Sequence, residues 1–179
     1  LLARRIVAAD HDVEVRGEIV QHDVKILELA ALKGVFADVV EDPVTYVNAP
    51  VIAVDRGVAV RLVTDEESPD HRNLVTVRGT VADGRTVSVS GTLTGPRHVE
   101  KIVEVLGYDM EVQPSEHMAF LRYDDRPGVV GTVGRILGEA NVNIAGMQVS
   151  RDSRGGHAMV AMTVDQAIPA RALESLVAA

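Results

Sequence analysis

The sequence predicts an α+β fold in two domains, 1–114 and 115–179, and three observations carry that expectation. Two β-branched runs, Leu74–Val81 and Thr86–Leu93, alternate and are joined across Ala82-Asp83-Gly84-Arg85, an Asp-Gly hairpin signal. Two helical faces recur: Ile26, Leu29, Leu32, Phe36, Val39 at spacings of three and four, and Val129, Val133, Ile136, Leu137, Ala140 at spacings of four, three, one and three. The second face lies between two strand-like runs, Met118–Tyr123 and Val142–Val149, in a unit of strand, Pro-Gly loop, helix and strand.

In chain order, Val13–Val20 alternates and reads as a strand, and His22-Asp23 leads into the first helical face. Gly34 inside that face either weakens the helix or marks a close contact with the sheet. Glu41-Asp42-Pro43 stops it, and Tyr46-Val47-Asn48-Ala49-Pro50 caps a shorter helix running to about Arg56-Gly57. Val58–Val63 is a strand and Asp65–Asn73 a polar loop holding Ser68-Pro69. Val99, Ile102, Val103 and Leu106 fit a helical face. Their β-branched content and the Gly107-Tyr108 break before Met110-Glu111-Val112 nevertheless favour a hairpin. Gln113-Pro114-Ser115-Glu116 is the domain boundary. Beyond it, Pro127 fixes φ where a helix can begin, with Asp125 or Arg126 as its cap. Asn141 follows the apolar face and can take the left-handed conformation that ends a helix. Asp152–Gly156 is a hairpin turn, His157–Val164 a strand, and Pro169–Ala179 a last helix with Pro at its favoured opening position. Met110, Met118, Met147, Met159 and Met162 fall on strand positions and read as core.

Composition narrows the function. With 46% hydrophobic but only 3% aromatic residues, the core is built from Val, Leu, Ile and Ala. A net charge of −8 argues against nucleic acid, which needs a clustered basic surface. The chain has no cysteine, so disulfides, thiol catalysis and cysteine-held metal or iron–sulfur sites are excluded. No apolar run approaches the ~18 residues of a membrane span and no signal peptide is visible, so a cytoplasmic protein without membrane contact is expected. The chain opens Leu1-Leu2-Ala3-Arg4-Arg5, without Met, and reads as a piece of something longer. No G-x-G-x-x-G follows a strand, no histidines share metal-ligand spacing, and no acid–base constellation is visible, so no catalytic residue and no metal site are expected here. His11-Asp12 and His22-Asp23 read as solvated pairs flanking the first strand. Asp65-Glu66-Glu67 and Asp70-His71-Arg72 read as surface loop.

The Pro127-Gly128 loop is where a ligand is expected. A helix start there offers backbone N–H groups and a favourable dipole to a carboxylate. Gly128, Gly131, Gly134 and Gly138 remove bulk along the helix, so a ligand or a second backbone can come close. Asp125 at one end and Asn143 just past the other could meet above the strand edges. An acid and an amide beside bare N–H groups suit a zwitterion. The residues alone leave a plainer reading open, in which Asp125 only caps and Asn143 only turns.

The string YDDRPGVVGTVGRILGEANVNI (Tyr123–Ile144) resembles the start of an ACT domain, a ferredoxin-like βαββαβ amino-acid-sensing module. In that pattern Asn141 stands where Gly is usual, and the fourth strand falls outside this chain. YVNAPVIAVDRGV, the loop ESPDHRN and SVSGTLTGP resemble the allosteric substrate-binding domain of long-form bacterial D-3-phosphoglycerate dehydrogenases, which precedes an ACT domain in those enzymes. The two resemblances together cover essentially the whole chain and imply the regulatory C-terminal half of such an enzyme. They imply further that the parent uses NAD in serine biosynthesis, while this chain has no cofactor of its own. L-Serine is the implied feedback inhibitor, bound at a subunit interface by a homodimer of ACT domains inside a larger homo-oligomer. The family's serine-contact positions fall on Tyr123, Asp125 and Asn143, with Pro127, Gly128 and Val142 around them. The family's anion site in the first domain falls on Lys101. Its neighbouring positions hold Tyr108, Asp109 and Gln113 in place of basic residues, and Asp109 repels a phosphate. Two alternatives remain: the regulatory part of an iron–sulfur L-serine dehydratase, and an oligomerisation module whose pocket binds nothing.

Overall fold

A computed structural model of the chain describes residues 10–37, 39–81 and 84–179. The described residues up to Gly107 and those from Tyr108 to Ala179 form two compact units. Both mix helices and strands, as the α+β class requires.

The first unit contains β1 (Asp10–Gly17), α1 (Lys25–Phe36), α2 (Ala49–Asp55), β2 (Ala59–Asp65), β3 (Asn73–Thr80), β4 (Thr86–Thr94) and β5 (Val99–Val105). With β6 (Tyr108–Val112) the sheet order is β2-β1-β3-β4-β5-β6. β1 and β2 run parallel across the helical connection, while β1–β3, β3–β4 and β4–β5 are antiparallel. β1 ends at Gly17 rather than continuing to Val20. Gly17 has φ 95°, and a Cβ there would lie 2.1 Å from the Arg72 carbonyl oxygen, so only glycine fits. A 3-10 turn, Glu18–Gln21, takes over.

The apolar face of α1 is rotated from the expected one. Leu32 and Phe36 are buried, and Leu27, Ala31 and Val35 pack inward, whereas Ile26 is 52% exposed. The reason is that α1 packs against β1, β2 and α2 together, which draws a second stripe of the helix inward beside Leu32 and Phe36. No atom lies within 4 Å of a Cβ built on Gly34, so it marks no contact with the sheet. Asn48 holds the N-cap position of α2 without a side-chain cap bond, and Pro50 lies in the first turn. The β3–β4 hairpin is present in register Thr80↔Thr86, with Ala82 and Asp83 of its turn outside the described residues. Val99–Val105 is a strand, and Leu106 and Gly107 (φ 53° and 81°) are the paired left-handed residues of a tight hairpin turn.

His11 is a correction. It lies inside β1, not beside it, and is only 7% exposed. Burial lowers its pKa, and its Nδ1 meets no partner among the described residues. The strand face carrying Glu14 is polar. Glu14, Thr76, Ser90 and Glu104 are successive cross-strand neighbours on β1, β3, β4 and β5, and the first three are buried. Thr76 and Ser90 hydroxyls share a hydrogen bond of 2.9 Å, and Ser88 and Ser90 donate to Glu104 at 2.8 and 2.7 Å.

The second unit adds β7 (Met118–Asp124), α3 (Val129–Glu139), β8 (Ile144–Arg151), β9 (His157–Val164) and α4 (Ala170–Ala178). Its three-stranded sheet has the order β7-β9-β8, both pairs antiparallel. The helices cover one face, with Val133, Leu137 and Val142 packed on Val160, Met162 and Val164. Pro169 is the N-cap of α4, not its first helical residue. Met110, Met159 and Met162 are buried as expected, but Met147 is 37% exposed on the outer strand β8. Among the described residues no helix is long and apolar enough to cross a membrane.

Candidate functional site

The helix start is built by Gly128 (φ 95°), the N-cap of α3, and no side chain caps it. This corrects the expectation that Asp125 or Arg126 would be the cap. Its first N–H groups are left to solvent or a ligand. Arg126 reaches the Ala179 carbonyl at 2.9 Å, while Pro127 and Gly128 are exposed.

Asp125 turns instead to the β8–β9 hairpin. Its N–H donates to the Gly156 carbonyl at 2.9 Å. Its Oδ2 meets Arg151 Nε at 3.3 Å and accepts from the Gly155 N–H at 3.4 Å, and the side chain is 14% exposed. The register explains the meeting: Tyr123 and Arg151 both sit opposite Ala158. Asp125 lies two residues beyond Tyr123, on the same face. Tyr123 packs against the core under the helices. Burial raises its hydroxyl pKa first, Asp125 raises it further, and Arg151 partly offsets both.

The other end of α3 closes as the residues demand. Asn141 has φ 57°, its N–H bonds to the Gly138 carbonyl at 3.0 Å, and the Val142 N–H bonds to the Leu137 carbonyl at 2.9 Å. Those two bonds form a Schellman motif, and Val142 and Leu137 supply its apolar contact. Val142 is therefore core at 3% exposure, and what it can offer a ligand is its carbonyl. The Asn143 N–H donates to Asp165 Oδ1 at 3.0 Å, and the Asn143 side chain is exposed.

Within one copy Asp125 and Asn143 do not meet. β7 and β8 both run antiparallel to β9, hence parallel to each other. Asp125 follows the end of β7, near Gly156, while Asn143 precedes the start of β8, near Asp165. The length of the eight-residue β8 separates them by roughly 25 Å.

Lys101 lies on β5 opposite Thr92, half-buried. Tyr108 is buried on β6, and Asp109 and Gln113 are exposed. No group of His, Asp or Glu that could hold a metal occurs among the described residues. Two features escaped the sequence reading. One is the Arg151–Asp125 contact, for which no local signal exists. The other is an open groove of about 490 Å³ in the second unit, lined by residues 111–115, 145–148, Thr163 and Val164. It holds none of the expected site residues.

Residues 7–106 match the family model of the D-3-phosphoglycerate dehydrogenase intervening domain, and residues 117–179 match that of the ACT domain. The chain is 44% identical over 171 residues to a D-3-phosphoglycerate dehydrogenase of Mycobacterium leprae, covering 96% of this chain and 32% of that protein. It is 30% identical over 167 residues to one from Bacillus subtilis, covering 93% of this chain and 31% of the other. A third, from Methanocaldococcus jannaschii, is 30% identical over 161 residues, covering 89% of this chain and 30% of the other. The chain thus spans about a third of the length of these curated relatives.

Proposed function

Because the chain belongs to the D-3-phosphoglycerate dehydrogenase intervening-domain family and carries an ACT domain behind that region, we propose that it is the regulatory part of such a dehydrogenase and binds L-serine at a seam between two copies. In this reading residues 1–114 are the allosteric substrate-binding domain and residues 115–179 the serine-sensing one. The NAD-dependent oxidation belongs to the rest of a longer, cytoplasmic, homo-oligomeric enzyme.

The observation that carries the reading is the placement of Asp125 and Asn143 at opposite ends of one sheet. Two copies paired antiparallel along the outer strand β8 bring the start of β8 in one copy to the end of β8 in the other. Asn143 of one copy then approaches Asp125, Tyr123 and the Pro127-Gly128 helix start of its partner. The serine carboxylate takes the free N–H groups, its ammonium the Asp125 carboxylate, and its remaining polar contact the Asn143 amide. The margin that such pairing covers is apolar: Val130 on α3 and Met147 and Val149 on β8 are 42%, 37% and 38% exposed. A Cβ on Gly131, Gly134 or Gly138 would meet nothing within 4 Å, so packing inside one copy does not call for bareness there. Among the described residues no strand is hydrogen-bonded into this sheet beyond β8, although the Glu111 N–H of β6 reaches Gln148 Oε1 at 2.9 Å, and an edge strand favours a strand from a second chain.

A thermal-shift panel of the twenty amino acids tests serine sensing against a module that binds nothing. Calorimetry on Asn143→Ala tests the seam. Losing one buried hydrogen-bond partner costs about 1–3 kcal/mol, so serine should bind about one to two orders of magnitude more weakly. The melting temperature of the empty protein should barely change, because the Asn143 side chain is exposed. Serine binding as tight as in the unaltered chain would sink the site.

A further inference from the structure

Resting on the seam site above, we propose that Arg151 is its charge-selectivity residue, which makes the site accept a zwitterion and turn away a simple cation. Arg151 Nε stands 3.3 Å from Asp125 Oδ2, and the Gly155 N–H reaches the same oxygen at 3.4 Å. Oδ1 meets no donor among the described residues. The carboxylate is therefore anchored through one oxygen and offers the other.

The neighbouring acids do not compete for the guanidinium. Asp152 is held inside its own hairpin by Ser153 and by the His157 N–H at 3.1 and 2.8 Å. Asp124 faces His157 Nδ1 at 3.0 Å. Arg151 thus belongs to Asp125, and the pair is electrically neutral. A lone ammonium arriving at Oδ1 gains from Asp125 but is opposed by Arg151 a few ångströms away. A zwitterion meets no such conflict, since its carboxylate lies between the guanidinium and the bare start of α3. Asp125 and Asn143 supply an acid and an amide but no cation. Arg151 supplies one from a strand distant in sequence.

The test uses the full chain and two ligands, L-serine and 2-amino-1,3-propanediol, which keeps the ammonium and hydroxyl but lacks the carboxylate. Calorimetry gives the ratio of their dissociation constants. In Arg151→Gln, serine should weaken and the diol should gain, so the dissociation constant of the diol divided by that of serine falls by about tenfold or more. Arg151→Lys, which keeps the charge, should retain the ratio within about threefold. Arg151 is 59% exposed, so both variants keep the fold, which a thermal melt checks. An unchanged ratio in Arg151→Gln, with serine still bound, overturns the proposal. So does a Lys variant as altered as the Gln one. If the unaltered chain binds no serine, the seam site itself fails and this assignment falls with it, a result distinct from the other two.

Discussion

Glu14 in the first unit and Asp125 in the second are carboxylates of similar side-chain exposure, 11% and 14%, and both face arginine. Their contacts differ. Glu14 Oε1 takes Arg16 at 2.6 Å and Oε2 takes Arg78 at 2.5 Å, so both oxygens hold short charge-assisted bonds. Asp125 uses Oδ2 alone, at 3.3 and 3.4 Å. A carboxylate engaged at both oxygens belongs to the fold, whereas one held loosely at a single oxygen keeps capacity for a ligand. Burial and an arginine neighbour do not by themselves separate the two cases.

The sharpest way to break this contrast is Asp125→Asn. It should weaken serine binding by about a hundredfold in a calorimetric titration, because the ammonium loses its charged partner. Its unfolding free energy should move by less than about 0.5 kcal/mol, since the contacts it loses are long. A larger loss of stability than of affinity would place Asp125 with Glu14.

Glu14→Gln should do the reverse. Two partly exposed arginines lose their partner at a nearly buried position. Breaking a fully buried pair costs about 3–5 kcal/mol. Because Arg16 and Arg78 are 38% and 46% exposed and can turn to water, about 1–2 kcal/mol is expected. Denaturant melts measure it, and serine affinity should be unaltered.

A smaller effect follows from pH. Burial pushes the Glu14 carboxyl up, but hydrogen bonds from Arg16 and Arg78, with their charges, outweigh it, and its pKa lies below the ordinary value. Its stabilisation is therefore complete above the unfolded pKa of about 4.3 and is lost as pH falls through the lower folded one. Acid melts below about pH 5 should be steeper for the unaltered chain than for Glu14→Gln. Equal slopes would show that Glu14 is not protonated differently in the two states.

The least change is expected of Gly131→Ala. The added methyl meets open space within one copy and should stabilise α3 by up to about 1 kcal/mol. At the proposed seam the same methyl should hinder close approach and weaken pairing, which sedimentation can follow. Stabilisation with unweakened pairing would move the seam away from α3.

Much of this molecule was legible in the residues themselves. The α3 face, the left-handed Asn141, the β9 span and the β3–β4 hairpin were readable because each depends on neighbours within a few positions, through backbone sterics and a fixed side-chain period. The same signals marked Asp125, Pro127, Gly128 and Asn143 as a candidate set, which Tyr123 joined only through the family resemblance. They did not say which of these residues meet. Three outcomes depended on strand neighbours remote in sequence: His11 buried rather than solvated, Glu14 gripped by Arg78, and Asp125 turned to Arg151. Sheet register decided all three, because it sets beside one another residues that no local pattern relates. The separation of Asp125 from Asn143 has the same origin. Parallel strands flanking β9 keep their like ends together, so a strand's end and its neighbour's beginning lie apart, whatever the local sequence prefers.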